Sequence, residues 1–211
     1  MFKKAQPQLP PLPHPFDPCC PIPSERQCRA WWDRFDMFEH IKEHSIQVAN
    51  VATTIAGMAV QVKLPGPAST SPERFCATIR ASALLHDLGK TYCIRHGGNH
   101  SQLGGAWVQE LTRNPNVAQG VTHHVYWPGP LDLEAFFIPL AVMYSDKRVR
   151  HTEIVSLDER AEDLYQRYGK TAAKQAMIKH SIDQIKEVEH LFESQLQENV
   201  HAYPFDSRGL V

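Results

Sequence analysis

The chain has 211 residues, with 22 Lys and Arg against 23 Asp and Glu, a formal net charge of −1, 42% hydrophobic and 21% charged residues. A chain of this length makes one ordinary domain and hides roughly 70% of its extended surface, enough for a core without disulfide or metal staples. The charge balance excludes binding of nucleic acid by bulk electrostatics and leaves room only for a local basic patch. The most apolar stretch, Ala135 to Tyr144, is interrupted by Pro139 and far too short to span a bilayer.

Half of the 16 prolines precede Ser24, so residues 1–23 are expected to form an extended, polyproline-like tail, draped or mobile, that supplies no metal ligand. Its start, MFKKAQPQLPPLP, lacks the apolar centre of a secretory signal. The five cysteines (Cys19, Cys20, Cys28, Cys76, Cys93) form no C-x-x-C pair, so the expected setting is cytoplasmic with reduced thiols. The folded domain is expected over 24–200, followed by a tail at 201–211.

Ser24 with Gln27 three residues on, then Ala30, Trp31, Phe35 and Phe38, predicts a capped first helix. A second is predicted from about Glu39, with Ile41, Val48, Val51, Ala52, Ile55, Ala56 and Ala59 at helical spacing, ending before LPGPASTSP at 64–72. Pro72 suits the first turn of a third, whose face of Phe75, Ile79, Ala83 and Leu84 runs into HDLGK at 86–90, where Gly89 reads as a stop signal. TYCIRHGGN reads as a loop. Further helices are expected at about 101–113, 115–124, 132–147, 157–168 and 171–199. No strand of useful length and no fixed-period repeat is evident, so the predicted architecture is a single-domain, all-α helical bundle.

The chemistry is concentrated in the 12 histidines. His86 and Asp87 close an apolar helix, and a neutral imidazole beside a carboxylate offers two ligands that divalent metals accept. A dipeptide of this kind is common by chance, and alone it reads as a helix-end histidine beside a solvated aspartate. Two other residues add to it. His44 stands on a helix whose inward positions are otherwise small or branched apolar residues, and Asp146 ends the apolar helix PLAVMYSDKRV; each needs a compensating partner.

With this H…HD…D pattern the chain resembles the HD-domain superfamily of metal-dependent phosphohydrolases. The strings CPIPSERQC, HDLGK, HSQLGGAWV and YSDKRV…IVSLDERAEDLYQRYG look like the small bacterial HDIG-related branch, from about Pro21 to Gly169. The resemblance implies that His44, His86, Asp87 and Asp146 hold one divalent ion. It also implies that a second ion would take His100 and His124 with Asp87 bridging. His123 is the neighbouring alternative to His124, although the register of VAQGVTHHV favours His124. These ligands suit Mn, Fe, Zn, Ni or Co, and Mg is not distinguished from them. Two such ions about 3.5–4 Å apart share a hydroxide and clamp an in-line displacement, so the attacking group is assigned to metal-activated hydroxide rather than to a separate base.

Lys90, directly after the Asp-Leu-Gly turn, is expected to contact phosphate and, with Asp87, to act in catalysis. Lys147, Arg148 and His123 are weaker candidates for substrate contact, the first two also reading as a solvated helix end. His40 reads as solvated at a helix start, His14, His151, His180, His190 and His201 as surface residues, and His96, in the RHGGN loop, as a solvent-exposed residue with lining of the pocket as the alternative. The chain lacks the G-x-x-x-x-G-K-[ST] loop and the G-x-G-x-x-G fingerprint. No Gly-Tyr-Pro follows HHVYWPGP, which counts against cyclic dinucleotide cleavage.

The expected function is hydrolysis of a phosphomonoester or phosphodiester in a nucleotide or other small phosphate ester. Neither membrane nor nucleic acid is indicated as a partner, and a homo-oligomer is compatible with the sequence. The rival readings are a symmetrical dinucleoside tetraphosphate hydrolase, a di-iron oxygenase on the same scaffold, and a non-catalytic nucleotide-binding signalling module.

Overall fold

The computed structural model describes residues 11–64, 66 and 69–205. Within them the chain is helical, with α1 (Glu25–Arg34), α2 (Glu39–Gln61), α3 (Pro72–Leu85), α4 (Lys90–His96), α5 (His100–Thr112), α6 (Pro115–His123), α7 (Leu133–Arg148), α8 (Leu157–Tyr168) and α9 (Ala172–Leu196). The predicted caps are formed. Ser24 accepts from the Gln27 N–H while the Gln27 side chain accepts from the Ser24 N–H, and Ser71 caps α3 with Pro72 at its first position.

The bundle is organised around α7, whose residues from Phe136 to Arg148 are all buried. A helix apolar on every side must be surrounded, and α2, α3, α6 and α9 pack around it. It is kinked at Phe136 (φ −134°, ψ 32°), one turn before Pro139, which has no N–H to continue the ladder. Trp32, Ile55, Phe75, Ile79, Leu84, Tyr144 and Phe192 fill the space between these helices at 0–2% exposure. Among the described residues, no helix is long and apolar enough to cross a membrane.

Two local readings of the sequence are corrected. TYCIRH is the short helix α4, not a loop, and Gly89 is its N-cap in ordinary right-handed backbone (φ −80°, ψ −6°) rather than a left-handed stop for α3. The glycine serves close approach: a Cβ there would lie 2.6 Å from the His100 carbonyl oxygen and 2.9 Å from the Gly104 nitrogen. After α7 a hairpin pairs Val149 with Ile154 and Arg150 with Glu153, two residues per strand and too short for any alternation to be visible.

The described part of the tail is draped over the bundle. Phe16 meets Phe75 edge-on at 6.0 Å. The Gln119 side chain donates to the Leu12 carbonyl (2.9 Å), Asn114 to Pro21 (3.1 Å), and Arg74 to Asp17 and Cys20 (3.2 and 3.0 Å). Residues 1–10 and 206–211 of the expected tails lie outside the described residues, while Phe205 is buried and Arg148 donates to the Val200 and His201 carbonyls. These contacts tie the described part of the tail to the bundle. Deleting residues 1–20 should lower Tm by about 3–10 °C, from roughly 1–3 kcal/mol of lost packing and hydrogen bonding, with metal content unaltered. A thermal melt alongside metal analysis checks this.

Candidate metal centre

Several helix ends converge on one buried cluster. The turn after α3 carries His86 and Asp87, 0% and 1% exposed. His44 comes from the second turn of α2, His100 from the first residue of α5, His124 from the residue after α6, and Asp146 from the last turn of α7. The α5–α6 crossing is close because residue 105 is glycine, whose missing Cβ would collide with the Thr122 hydroxyl. That crossing brings His100 to His124.

Three of these histidines commit Nδ1 to a backbone carbonyl: His44 to His151 (2.9 Å), His86 to Ala83 (2.7 Å) and His124 to Val121 (2.7 Å). A carbonyl only accepts, so each Nδ1 carries a proton and each Nε2 faces the centre, as in imidazoles oriented to bind metal. There the Nε2 atoms meet other acceptors. His44 Nε2 lies 3.0 Å from Asp146 Oδ1, and His86 Nε2 lies 3.4 Å from Asp87 Oδ2 and 3.7 Å from Asp146 Oδ1. His100 Nε2 is 3.1 Å from His124 Nε2, and the two are 3.3 and 3.5 Å from Asp87 Oδ1.

Acceptors at these separations repel unless a proton or a metal ion stands between them. His86 Nε2 and Asp87 Oδ1 are both buried without a hydrogen-bond partner, which fits a donor set built for cations. His44, His86 and Asp146 form one group able to hold an ion, and His86, Asp87 and His124 a second. The distances from His100 add it to the second group. Asp87 turns Oδ2 toward His86 and Oδ1 toward His100 and His124, so its carboxylate stands between the two groups.

The electrostatics follow from this crowding. Burial opposes the charge on Asp87, but Lys90, His86 and His124 outweigh it and hold the carboxyl well below its ordinary range. Asp146 is likewise held low against burial, by Lys147, His44 and His86. Burial opposes protonation of His86, yet Asp87 and Asp146 raise it to about 9. His100 goes the other way, to about 4, through burial and the neighbouring His124. A proton on His86 thus occupies the place an ion would take, while His100 is already neutral.

The flanking cations differ in role. Lys90 Nζ lies 2.6 Å from Asp87 Oδ2 with its side chain 35% exposed, so it stands in the cluster and at its solvent edge. Lys147 is buried, bonded to Asp146 Oδ2 (2.6 Å) and the His124 carbonyl (3.4 Å), and is not the solvated helix end that the sequence also allowed. Arg148 points away from the cluster. Its guanidinium is buried and bonded to Tyr144, Val155, Val200 and His201, none of them a residue of the cluster. His123 packs edge-on against Trp127 at 5.1 Å, outside both ligand groups. What the sequence reading missed is the part played by the backbone, above all the His151 carbonyl that orients His44.

The described residues thus form an all-α bundle with a buried histidine–aspartate cluster at its helix ends. The chain belongs to the HD domain family, whose model matches residues 41–150, and members of that family are generally metal-dependent hydrolases. Curated relatives include Ribonuclease Y from two strains of Dehalococcoides mccartyi, each 26% identical over 111 residues, or 52% of this chain. The match spans 18% of those relatives' own length. No solved structure matches the chain significantly.

Purified without chelator, the protein should carry about one or two equivalents of a divalent metal, as a shared-carboxylate site allows. The double variant His86→Ala, Asp87→Ala should lose it, and His124→Ala should lower the stoichiometry more than His123→Ala does. Metal analysis by mass spectrometry reads both. Because the proton on His86 must leave, affinity for added Mn²⁺ should rise with pH toward about 9. Calorimetry in buffers of different ionisation enthalpy should then show about one proton released per protein near neutral pH.

Proposed function

We propose that the chain hydrolyses a phosphate ester, mono or diester, of a nucleotide or similar small molecule, with His44, His86, Asp87, His100, His124 and Asp146 holding one or two divalent ions. The observation that carries the reading is the Asp87 carboxylate set between two histidine groups, with Lys90 at the solvent edge. A divalent ion there supplies Lewis acidity and lowers the pKa of the attacking water. Without ions, Lys90 and Lys147 offset Asp87 and Asp146 and the His86 proton adds one positive charge; a divalent ion that displaces this proton would raise the net charge of the site by one, and a second ion by two, so the loaded site would favour anions.

The protein's own groups then have distinct tasks. The Nδ1–H bonds of His44, His86 and His124 keep the imidazoles in one tautomer and orientation. Lys147, shut away from solvent, holds Asp146 and positions it. Lys90 alone among the cluster's cations reaches solvent, so it is the group to meet a phosphate oxygen and the charge that builds on it during displacement. The name of the relatives denotes action on RNA, a phosphodiester, which supports keeping diesters among the substrates.

The test is steady-state hydrolysis of a panel of nucleotides and phosphate esters with Mn²⁺, Mg²⁺, Fe²⁺, Co²⁺ and Ni²⁺. Lys90→Ala should retain metal and lose about ten- to a thousand-fold in kcat/KM, or about 1.4–4 kcal/mol, and Lys90→Arg should recover part of it. Wild-type rates in metal-replete Lys90→Ala would remove the lysine from the reaction. Turnover that requires iron and oxygen would make the chain an oxygenase instead.

A further inference from the structure

A surface cleft of about 320 Å³ is lined by Arg34, Phe35 and Asp36 at the end of α1, by Tyr92, Arg95 and His96 of α4, and by Trp107 of α5. Phe35 stacks on Trp107 at 4.5 Å and 25°, while Tyr92 stands across Trp107 at 5.6 Å and 83°. His96 leans on Tyr92 at 4.5 Å. Arg34 lies over the Phe35 ring, and Arg95 lies over Phe38 and pairs with Asp36 at 2.5 Å. A corner made only for packing would bury aliphatic side chains. Here Tyr92 is 46% exposed, and the two arginines and His96 at the rim are exposed as well.

The cleft shares its scaffold with the cluster. Lys90 and His100 are the first residues of α4 and α5, which carry Tyr92, Arg95 and His96 on one and Trp107 on the other. Trp107 is seven residues beyond His100, two turns along the same helix face, or about 10 Å. Lys90 and His100 are also the most exposed members of the cluster, at 35% and 28%, so it opens toward these helices. The Phe38 N–H donates to Thr91 Oγ1 at 3.0 Å and ties the α1–α2 corner to α4.

We propose that this cleft receives the base of a nucleotide whose phosphate lies at the metal centre, a proposal that rests on the phosphoester reading above. Tyr92, about half exposed, offers ring surface to a partner that has a π face, and every nucleobase has one. Arg34 adds stacking surface and positive charge at the rim for neighbouring phosphates, while Arg95 adds stacking surface with its charge offset by Asp36. The local charge resolves the apparent conflict with a net charge of −1: recognition here is by stacking beside a small basic rim, not by a basic surface.

The experiment measures binding of two fluorescently labelled probes to the metal-replete full chain: an oligoadenylate hexamer and an abasic hexamer with the same backbone. The hexamer with bases should bind about 5- to 100-fold more tightly, the range expected for stacking on an aromatic group. Tyr92→Ala and Trp107→Ala should abolish that ratio, whereas Tyr92→Phe and Trp107→Phe, which keep a ring and guard against a folding artefact, should retain most of it. AMP as competitor separates the sources of the base, since it displaces the hexamer readily if one nucleotide fills the site and weakly if a strand is required. His86→Ala should abolish hydrolysis and preserve the ratio. A preserved ratio in a wild type that hydrolyses no phosphate ester would leave the base site standing and overturn only the phosphoester reading. Equal binding of the two probes by wild type, no binding of either, or an unchanged ratio in Tyr92→Ala would overturn the base site.

Discussion

The carboxylate of Asp87 is the constraint on which the arrangement of this bundle turns. It is 1% exposed and its surroundings hold it ionised, although taking such a charge out of water costs several kcal/mol unless opposing charges and hydrogen-bonding groups surround it. The compensation comes from different elements: Lys90 from α4, His86 from the turn after α3, His100 from α5 and His124 from the end of α6. Bringing them within 2.6 to 3.5 Å of one carboxylate requires backbones in contact. That is why the Asp-Leu-Gly turn has no side chain where it meets α5, and why α5 has none where it meets Thr122. The close packing of α4, α5 and α6 and the electrostatics of the site are therefore one problem with one solution.

Orientation of the imidazoles depends on the polypeptide itself. His86 and His124 use carbonyls three residues earlier, in the last turns of α3 and α6, where helix ends leave acceptor capacity. His44 lies in the interior of α2 and has no such local carbonyl to use. Its partner is the His151 carbonyl, supplied by a hairpin whose turn residue is in left-handed backbone (φ 55°). A pair of two-residue strands thus has a role out of proportion to its size, since it sets the tautomer of a residue 107 positions away.

The site is also polarised in exposure. On the α2 and α7 side, His44, His86, Asp146 and Lys147 are at most 7% exposed and the apolar core stands behind them. On the α4 and α5 side Lys90 and His100 reach solvent, and the same two helices carry Tyr92 and Trp107 of the aromatic cleft. Low dielectric behind and water in front strengthen the electrostatic interactions of the centre on its buried side and screen them on its open side.

The sequence by itself determined the helices, because capping residues and apolar periodicity are local signals: Ser24 with Gln27, Ser71 with Pro72 and the stripe of α2 are readable without any tertiary contact. It also singled out His44, His86, Asp87, His100, His124 and Asp146, since titratable groups beside apolar stretches stand out and their pattern resembles a known family. The tertiary structure decided what no local signal carries. Gly89 read as a stop because chain-local propensity cannot express an approach to His100 and Gly104. Arg148 and Lys147 are adjacent in sequence and were treated alike, but successive helix positions are about 100° apart, so one ammonium meets Asp146 while the guanidinium turns to the C-terminal segment. The same rotation separates His123, on Trp127, from His124, on Asp87. The aromatic cleft is likewise assembled from residues up to 73 positions apart, from Arg34 to Trp107, and comes into being only when α1, α4 and α5 meet.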